Sequence, residues 1–345
     1  MVKKVILITG ASGFLGVRLA SAINEDRELP DVQLILIDVI EPKLPPNSSA
    51  ITIQADLTDP AQANALFDAK YGLYDAVYCL HGIMSRGSED NFDLGIKVNV
   101  DSVRNVLNAA RDHGKAQGSL IKFIFTSSLA VYGGPLVRSV SQVRPEVIQP
   151  DTIATPEGAY GTGKLVSELF VNEYTRRGFV DGRILRLPTV TVRPGPLSAA
   201  TSAFISGIIR EPLQGLPATC PIGNSLTSPE LDLAVWIASP EVTLQNLVIA
   251  RRVPAAAFRA HTRVVCLPGF TVTVREEIAA LEAVAGKDAV ALIRFEDDPE
   301  NRRVVSSWPS RFDNAYALAL GFVVDEGGLV PVVRRFQAQL KASAS

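Results

Sequence analysis

The sequence predicts an α/β fold: a doubly wound parallel sheet with helices on both faces, closed by a smaller C-terminal lid. Three observations carry this. Short apolar runs alternate with helical patterns through the first half of the 345 residues, the strand–helix–strand rhythm of a parallel sheet. The runs are apolar throughout, as strands buried on both faces require. Beyond about residue 190 the rhythm breaks, and proline and glycine become frequent, as at Arg193-Pro194-Gly195-Pro196, Glu211-Pro212, Cys220-Pro221 and Ser228-Pro229.

Taken in order, the first strand is expected at 5–8, Val-Ile-Leu-Ile, and the others at 33–37, 51–54, 76–80, 121–126 and 182–187. Helices are expected between them at 14–25, 60–70, 91–111 and 159–177. Later helical patterns cover 241–251, 274–285 and 314–320, the last ending at Gly321 in a C-cap position. These expectations divide the chain into a nucleotide-binding part, 1–190, and a lid, 191–345, with some interleaving of the two.

The first strand runs into Gly10-Ala11-Ser12-Gly13-Phe14-Leu15-Gly16, which opens the first helix. Glycine is needed there for a tight turn, for close approach of a pyrophosphate and for helix–strand packing. Backbone N–H groups at the helix start then face phosphate oxygens, so Gly10, Ser12, Gly13, Phe14, Leu15 and Gly16 form a candidate dinucleotide cradle of Rossmann type. Asp38 ends the second strand, where a carboxylate accepts both adenosine ribose hydroxyls and repels a 2′-phosphate; this favours NAD. Asp56-Leu57, after the third strand, is a candidate for the adenine edge.

Tyr160 and Lys164 stand four apart and share a helix face. An ammonium beside a phenol favours the phenolate, and the expectation is a tyrosine pKa below its ordinary ~10. Thr126-Ser127-Ser128 closes the fifth strand at the carboxyl edge of the sheet, where ligands bind. Ser128, Tyr160 and Lys164 are therefore the candidate catalytic set, with Tyr160 as base and Ser128 holding the substrate oxygen.

Composition narrows the alternatives. Hydrophobic residues make up 47% and charged residues 20%, and the net charge of −2 leaves no basic footprint for nucleic acid. Cys79, Cys220 and Cys266 are widely spaced, and reduced thiols are expected. The three histidines lack ligand spacing, so no metal is expected. No apolar run approaches the ~20 residues of a membrane span, and no signal-peptide layout precedes the first strand; a cytoplasmic enzyme is expected. No Gly-x-Ser-x-Gly elbow supports a hydrolase.

The ordered set Gly10, Gly13, Gly16, Asp38, Asn99, Thr126-Ser127-Ser128, Tyr160, Lys164 and Leu187-Pro188-Thr189 resembles the extended short-chain dehydrogenases/reductases, over nearly the whole chain. That superfamily includes nucleotide-sugar epimerases and dehydratases. Segments 91–99, 127–135, 176–183, 187–195 and 206–213, with Trp236, Ser239-Pro240 and Leu267-Pro268-Gly269, look like its D-erythronate dehydrogenase subgroup. The resemblance implies a Tyr-dependent hydride transfer to NAD from a secondary hydroxyl of a small sugar acid, D-erythronate at carbon 2. The alternatives are a nucleotide-sugar epimerase or reductase, or a non-catalytic NAD sensor. It adds Leu80, Gly82, Asn99 and Pro188 to the cofactor set beside Tyr160 and Lys164, and Ser85 to the substrate set beside Ser128 and Tyr160. It also implies a homodimer through helices 91–111 and 159–177. Arg193 and Arg210 are candidate anchors for the acid, since guanidinium pairs bidentately with carboxylate, and each reads equally well as a structural ion-pair partner. The chain departs from its relatives at His81-Gly82, at Gly158-Ala159, where a hydroxyl residue is frequent, and at Arg86.

Overall fold

The computed structural model describes residues 3–29, 31–133, 146–195 and 200–344. Gly134 and Pro135 of the resembling segment 127–135 lie outside them. Strands β1 (Lys4–Thr9), β2 (Val32–Asp38), β3 (Ile51–Gln54), β4 (Leu73–Cys79), β5 (Lys122–Ser128) and β6 (Asp181–Leu187) coincide with the six expected runs to within a few residues at either end. Beyond them come β7 (Thr189–Val190), β8 (Ala218–Cys220), β9 (Ala234–Ala238), β10 (Val264–Cys266), β11 (Phe270–Thr273) and β12 (Ile293–Phe295), which sequence periodicity did not mark. They are two to five residues long, too short for a period to register.

The central sheet has the order β10-β6-β5-β4-β1-β2-β3, with every neighbouring pair parallel. Strand order reverses between β1 and β4, the switch point at which such sheets bind ligands. Both faces are covered. Val5 and Leu7 of β1 and Phe123 and Phe125 of β5 pack on one side with Val103, Val106, Leu107 and Val171. Ile6, Ile8 and Ile124 pack on the other with Leu19, Leu247, Ala317 and Phe322. Two buried faces explain why the strands read as continuous apolar runs.

The helices of the first half are α1 (Phe14–Asn24), α2 (Pro60–Ala65), α3 (Ser85–Asp90), α4 (Phe92–Ile96), α5 (Ser102–Gln117) and α6 (Ala159–Arg176). The expected helix 60–70 stops early because the Asp68 carboxylate accepts from Lys70 N–H and starts a separate 3-10 turn. The expected helix 91–111 is three pieces: α4, a π-helical stretch (Lys97–Asp101) and α5, which runs on to a left-handed Gly118 (φ 72°). In the second half lie α7 (Ala203–Leu213), α8 (Pro240–Arg252), α9 (Val274–Ala285), α10 (Lys287–Val290), α11 (Pro299–Ser307), α12 (Ala315–Ala319) and α13 (Leu329–Ala344).

The second half serves two cores. Residues from α7, β9, α9 and α13, among them Ile205, Ile208, Ile237, Leu281 and Val333, form a core of their own. Meanwhile β10, α8 and α12 return to the central sheet, where β10 pairs with β6 and Leu247 and Ala317 join the first core. Among the described residues no helix is long and apolar enough to cross a membrane.

Candidate active site

The carboxyl ends of β1 through β6 open into one cavity of about 720 Å³, within the range of small-molecule and cofactor sites. Its lining begins at the glycine turn with Gly10, Gly13, Phe14, Leu15 and Gly16. Gly10 is left-handed (φ 69°), and a Cβ there would lie 2.7 Å from His81 N; one on Gly16 would lie 2.2 Å from Gly10 O. Both positions thus require glycine. Gly13 caps α1 without a side-chain bond, so the helix start presents its N–H groups directly. Ser12 does not line the cavity, but its Oγ is buried without a partner, and its N–H donates to Asp38 Oδ2 at 2.9 Å.

Asp38 lines the cavity beside the turn, and its other oxygen accepts from Val39 N–H at 2.7 Å. Each carboxylate oxygen accepts more than one bond, so both retain capacity for ribose hydroxyls. Asp56 and Leu57 follow along the rim. An uncapped helix start, an orphaned hydroxyl in the turn and a carboxylate at the second strand end together fit a dinucleotide.

At the other end of the cavity stand Leu80, Gly82, Ser85, Ser128, Tyr160, Lys164, Pro188 and Arg193. Lys164 is buried, and its Nζ donates to Thr126 O at 3.0 Å, 5.8 Å from the Tyr160 ring centre. Burial pushes the lysine down to about 8. Ser128 Oγ accepts from Ala130 N–H at 3.1 Å and also bonds Tyr160. Tyr160 does not follow the expectation of a lowered pKa. Burial pushes it up to about 12, opposed by the Ser128 hydroxyl and the Arg193 charge, because the lysine ammonium is directed at a carbonyl rather than at the phenol.

Besides Ser12, two of the expected residues do not line the cavity. Asn99 is 1% exposed and its amide is consumed: Oδ1 accepts from Ile83 N–H (2.9 Å), and Nδ2 donates to Ile83 O (3.0 Å) and Ser88 Oγ (3.1 Å). It shapes the β4–α3 connection rather than lining it. A Cβ on Gly82 would lie 2.8 Å from that Oδ1. Arg210 is buried, and it donates to Arg193 O (2.9 Å) and pairs with Glu211. Of the two arginines only Arg193 lines the cavity.

The departures have local accommodations. His81 Nδ1 lies 2.7 Å from Thr9 Oγ1 and Nε2 lies 2.7 Å from Ser102 Oγ, so the imidazole bridges β1 and α5; burial pushes it down to about 3, hence neutral. Gly158 leaves α6 without a capping side chain, and Glu89 of α3 supplies the acceptor, taking the Ala159 N–H at 2.6 Å. A Cβ at Gly158 would sit 2.6 Å from that carboxylate oxygen. Arg86 is exposed and pairs with Asp90 at 3.2 Å.

Ile83, Met84, Ala200, Ser202 and Trp308 also line the cavity, unmarked by any motif, as does Lys97 from the segment 91–99. The segment holding Ala200 and Ser202 is tied down at Thr201, within 3.3 Å of Ser85 Oγ and accepting from Asn301 Nδ2 at 3.2 Å. Among the described residues no cluster could hold a metal ion, and the three cysteines are free, with Cys266 only partly buried.

The chain is similar to several known proteins. The model of the NAD dependent epimerase/dehydratase family matches residues 6–228. The D-erythronate dehydrogenase of Haemophilus influenzae is 39% identical over 322 residues, 93% of this chain and 95% of the relative. That of Cupriavidus necator is 39% identical over 327 residues, 93% and 94% of the two chains. The crystal structure of a nucleoside-diphosphate-sugar epimerase from Agrobacterium tumefaciens superposes with a TM-score of 0.87 at 33% identity, covering 99% of this chain and 96% of that one.

Proposed function

The chain belongs to the NAD dependent epimerase/dehydratase family, and on that premise we propose that it oxidises a secondary hydroxyl of a small sugar acid, D-erythronate at carbon 2, to the 2-keto acid. The observation that carries this reading is one cavity bringing Ser128, Tyr160, Lys164 and Arg193 to the end opposite the glycine turn and Asp38. The D-erythronate dehydrogenases named above, matched over nearly their full length, support the substrate.

Bound NAD supplies the hydride acceptor. The glycine turn and the N-terminus of α1 hold its phosphates, Asp38 takes the adenosine ribose, and Asp56 and Leu57 the adenine edge. Leu80, Gly82 and Pro188 form the bed for the nicotinamide half. Ser128 orients the substrate hydroxyl, and Tyr160 takes its proton as the carbinol carbon is oxidised. Lys164, held by Thr126 O beside Tyr160, binds the nicotinamide ribose in its charged form. Arg193 pairs with the substrate carboxylate, while its charge also reaches the phenol. Ser85, at the start of α3, faces the remaining hydroxyls. We assign the lid role to the core built from α7, β9, α9 and α13, and the NAD-binding role to the central sheet.

A screen of hydroxy acids with NAD, followed by absorbance of the reduced cofactor, tests this; turnover of D-erythronate above the other acids is expected. UDP-sugars belong in the same screen, because the Agrobacterium tumefaciens structure carries the name of a nucleoside-diphosphate-sugar epimerase. Conversion of a UDP-sugar with no acid oxidised would overturn the proposal.

A further inference from the structure

We propose that Glu168 is a positioning residue that keys the helix bearing Tyr160 and Lys164 to the strand bearing Ser128, through a buried bridge to Ser127 and Arg186. The inference rests on the catalytic reading above and goes beyond it.

Tyr160, Lys164 and Glu168 stand at successive i, i+4 positions of α6 and so share one face. Each meets the end of β5. Tyr160 bonds Ser128, Lys164 Nζ donates to Thr126 O at 3.0 Å, and Glu168 Oε1 accepts from Ser127 Oγ at 2.5 Å. The third rung is anchored more firmly than the other two. Arg186, the direct partner of Ser127 across the β5–β6 pair, donates Nε to Glu168 Oε1 at 2.9 Å and Nη2 to Oε2 at 2.6 Å. Its Nη1 bonds Tyr132 OH, which lies 3.6 Å from Cys266 Sγ, and Cys266 is the next partner of Arg186 on β10. One carboxylate therefore reads a row that crosses three strands. Glu168 is 1% and Arg186 7% exposed.

Stability alone is a poor reason for such a pair, because apolar residues of similar volume fill a core as well or better. What the bridge adds is register. A helix free to slide against β5 would carry Tyr160 away from Ser128, and a misplacement of ~1 Å at a reacting group costs up to ~10²-fold in rate. The carboxylate also lies one turn from Lys164 and favours its charged form, against the burial that pushes the lysine down. The other groups acting on that lysine are the Cys79 thiol from β4, the His81 ring, the Tyr160 ring and the Thr126 carbonyl.

The test compares the unmodified enzyme with Ser127→Ala, Glu168→Gln and the apolar pair Glu168→Leu with Arg186→Met, each checked by thermal melting and NAD binding, with Tyr160→Phe as control. Ser127→Ala should fold and lose about tenfold in kcat with little change in KM for the acid. In Glu168→Gln the alkaline pH at which turnover falls should move down by about one unit. The apolar pair, which leaves no unpaired charge if Glu168→Gln fails to fold, should melt no lower than the parent and still lose about tenfold in kcat. A parental kcat and pH profile in Ser127→Ala and in the apolar pair would overturn the proposal while leaving the catalytic reading intact. Activity surviving in Tyr160→Phe would remove the catalytic reading itself, and this proposal with it.

Discussion

Tyr160→Phe removes the one atom of the proposed base and keeps the ring. Ser128, Arg193 and Lys164 retain their positions, and the lysine keeps its bond to Thr126 O. Folding and NAD affinity should survive, whereas turnover should fall at least ~10²-fold, about 2.7 kcal/mol on the barrier, the usual contribution of a positioned acid–base group. The structure adds a second magnitude. With the phenol pushed up to about 12 in the ligand-free protein, only ~10⁻⁴ of it is ionised at pH 8, and the fraction rises about tenfold per pH unit. Under conditions first order in both substrates, where the rate reports the free enzyme, activity in the oxidation direction should climb ~10-fold from pH 6 to pH 7, below the range in which Lys164, pushed down to about 8, loses its charge. The assay is reduced-cofactor absorbance across that range for both proteins. A plateau below pH 7 would refute the assigned ionisation. Retention of more than about a tenth of the activity by Tyr160→Phe would refute the base itself.

Asp38→Ala should weaken NAD binding and narrow the preference over NADP in kcat/KM, since the carboxylate repels a 2′-phosphate; an unmodified enzyme faster with NADP contradicts this. Arg193→Lys should raise KM for the acid at least ~10-fold, about 1.4 kcal/mol of the charged bonds, with NAD affinity unchanged; an unchanged KM would leave the carboxylate to backbone donors. Glu277 on α9 is fully buried with neither oxygen bonded, and burial raises its pKa well above the ordinary value. The folded state thus holds a proton that the unfolded chain releases above ~4.5, so stability falls as pH rises from there toward the raised value. Glu277→Met should be more stable at pH 8 by about 1–3 kcal/mol, with the gap closing toward pH 5 in urea titrations; a gap independent of pH would show that ionisation is not its source. Light scattering at micromolar concentration should give twice the chain mass, because Phe92 and Leu169, on the two helical segments proposed to pair, remain 59% and 62% exposed. Leu165 and Tyr174 of the second segment are partly spent on the chain's own cores, and a monomer mass would remove the pairing.

The legible part of this protein lies in local signals. The six long strands announce themselves because a strand buried on both faces must be apolar throughout, and α6 because its pattern is helical. Gly10 and Gly16 mark the turn because a left-handed φ at the first and a close backbone approach at the second leave no room for a side chain. The spacing of Tyr160 and Lys164 fixes a shared helix face, and the order of the motifs along the chain carries the family. What depended on distance in space was not legible. β10 joins the central sheet beside β6 although the chain has by then left for the lid, and Trp308 reaches the cavity from the far end of α11. Asn99 is turned away by a π-helical stretch and consumed by Ile83 and Ser88. Tyr160 is pushed up rather than down, since a pKa is set by desolvation and by where each neighbouring charge is aimed, and only packing determines those. Glu168 and Arg186 have no spacing that links them in sequence; they meet because β5–β6 register places Ser127 beside Arg186 under the face of α6.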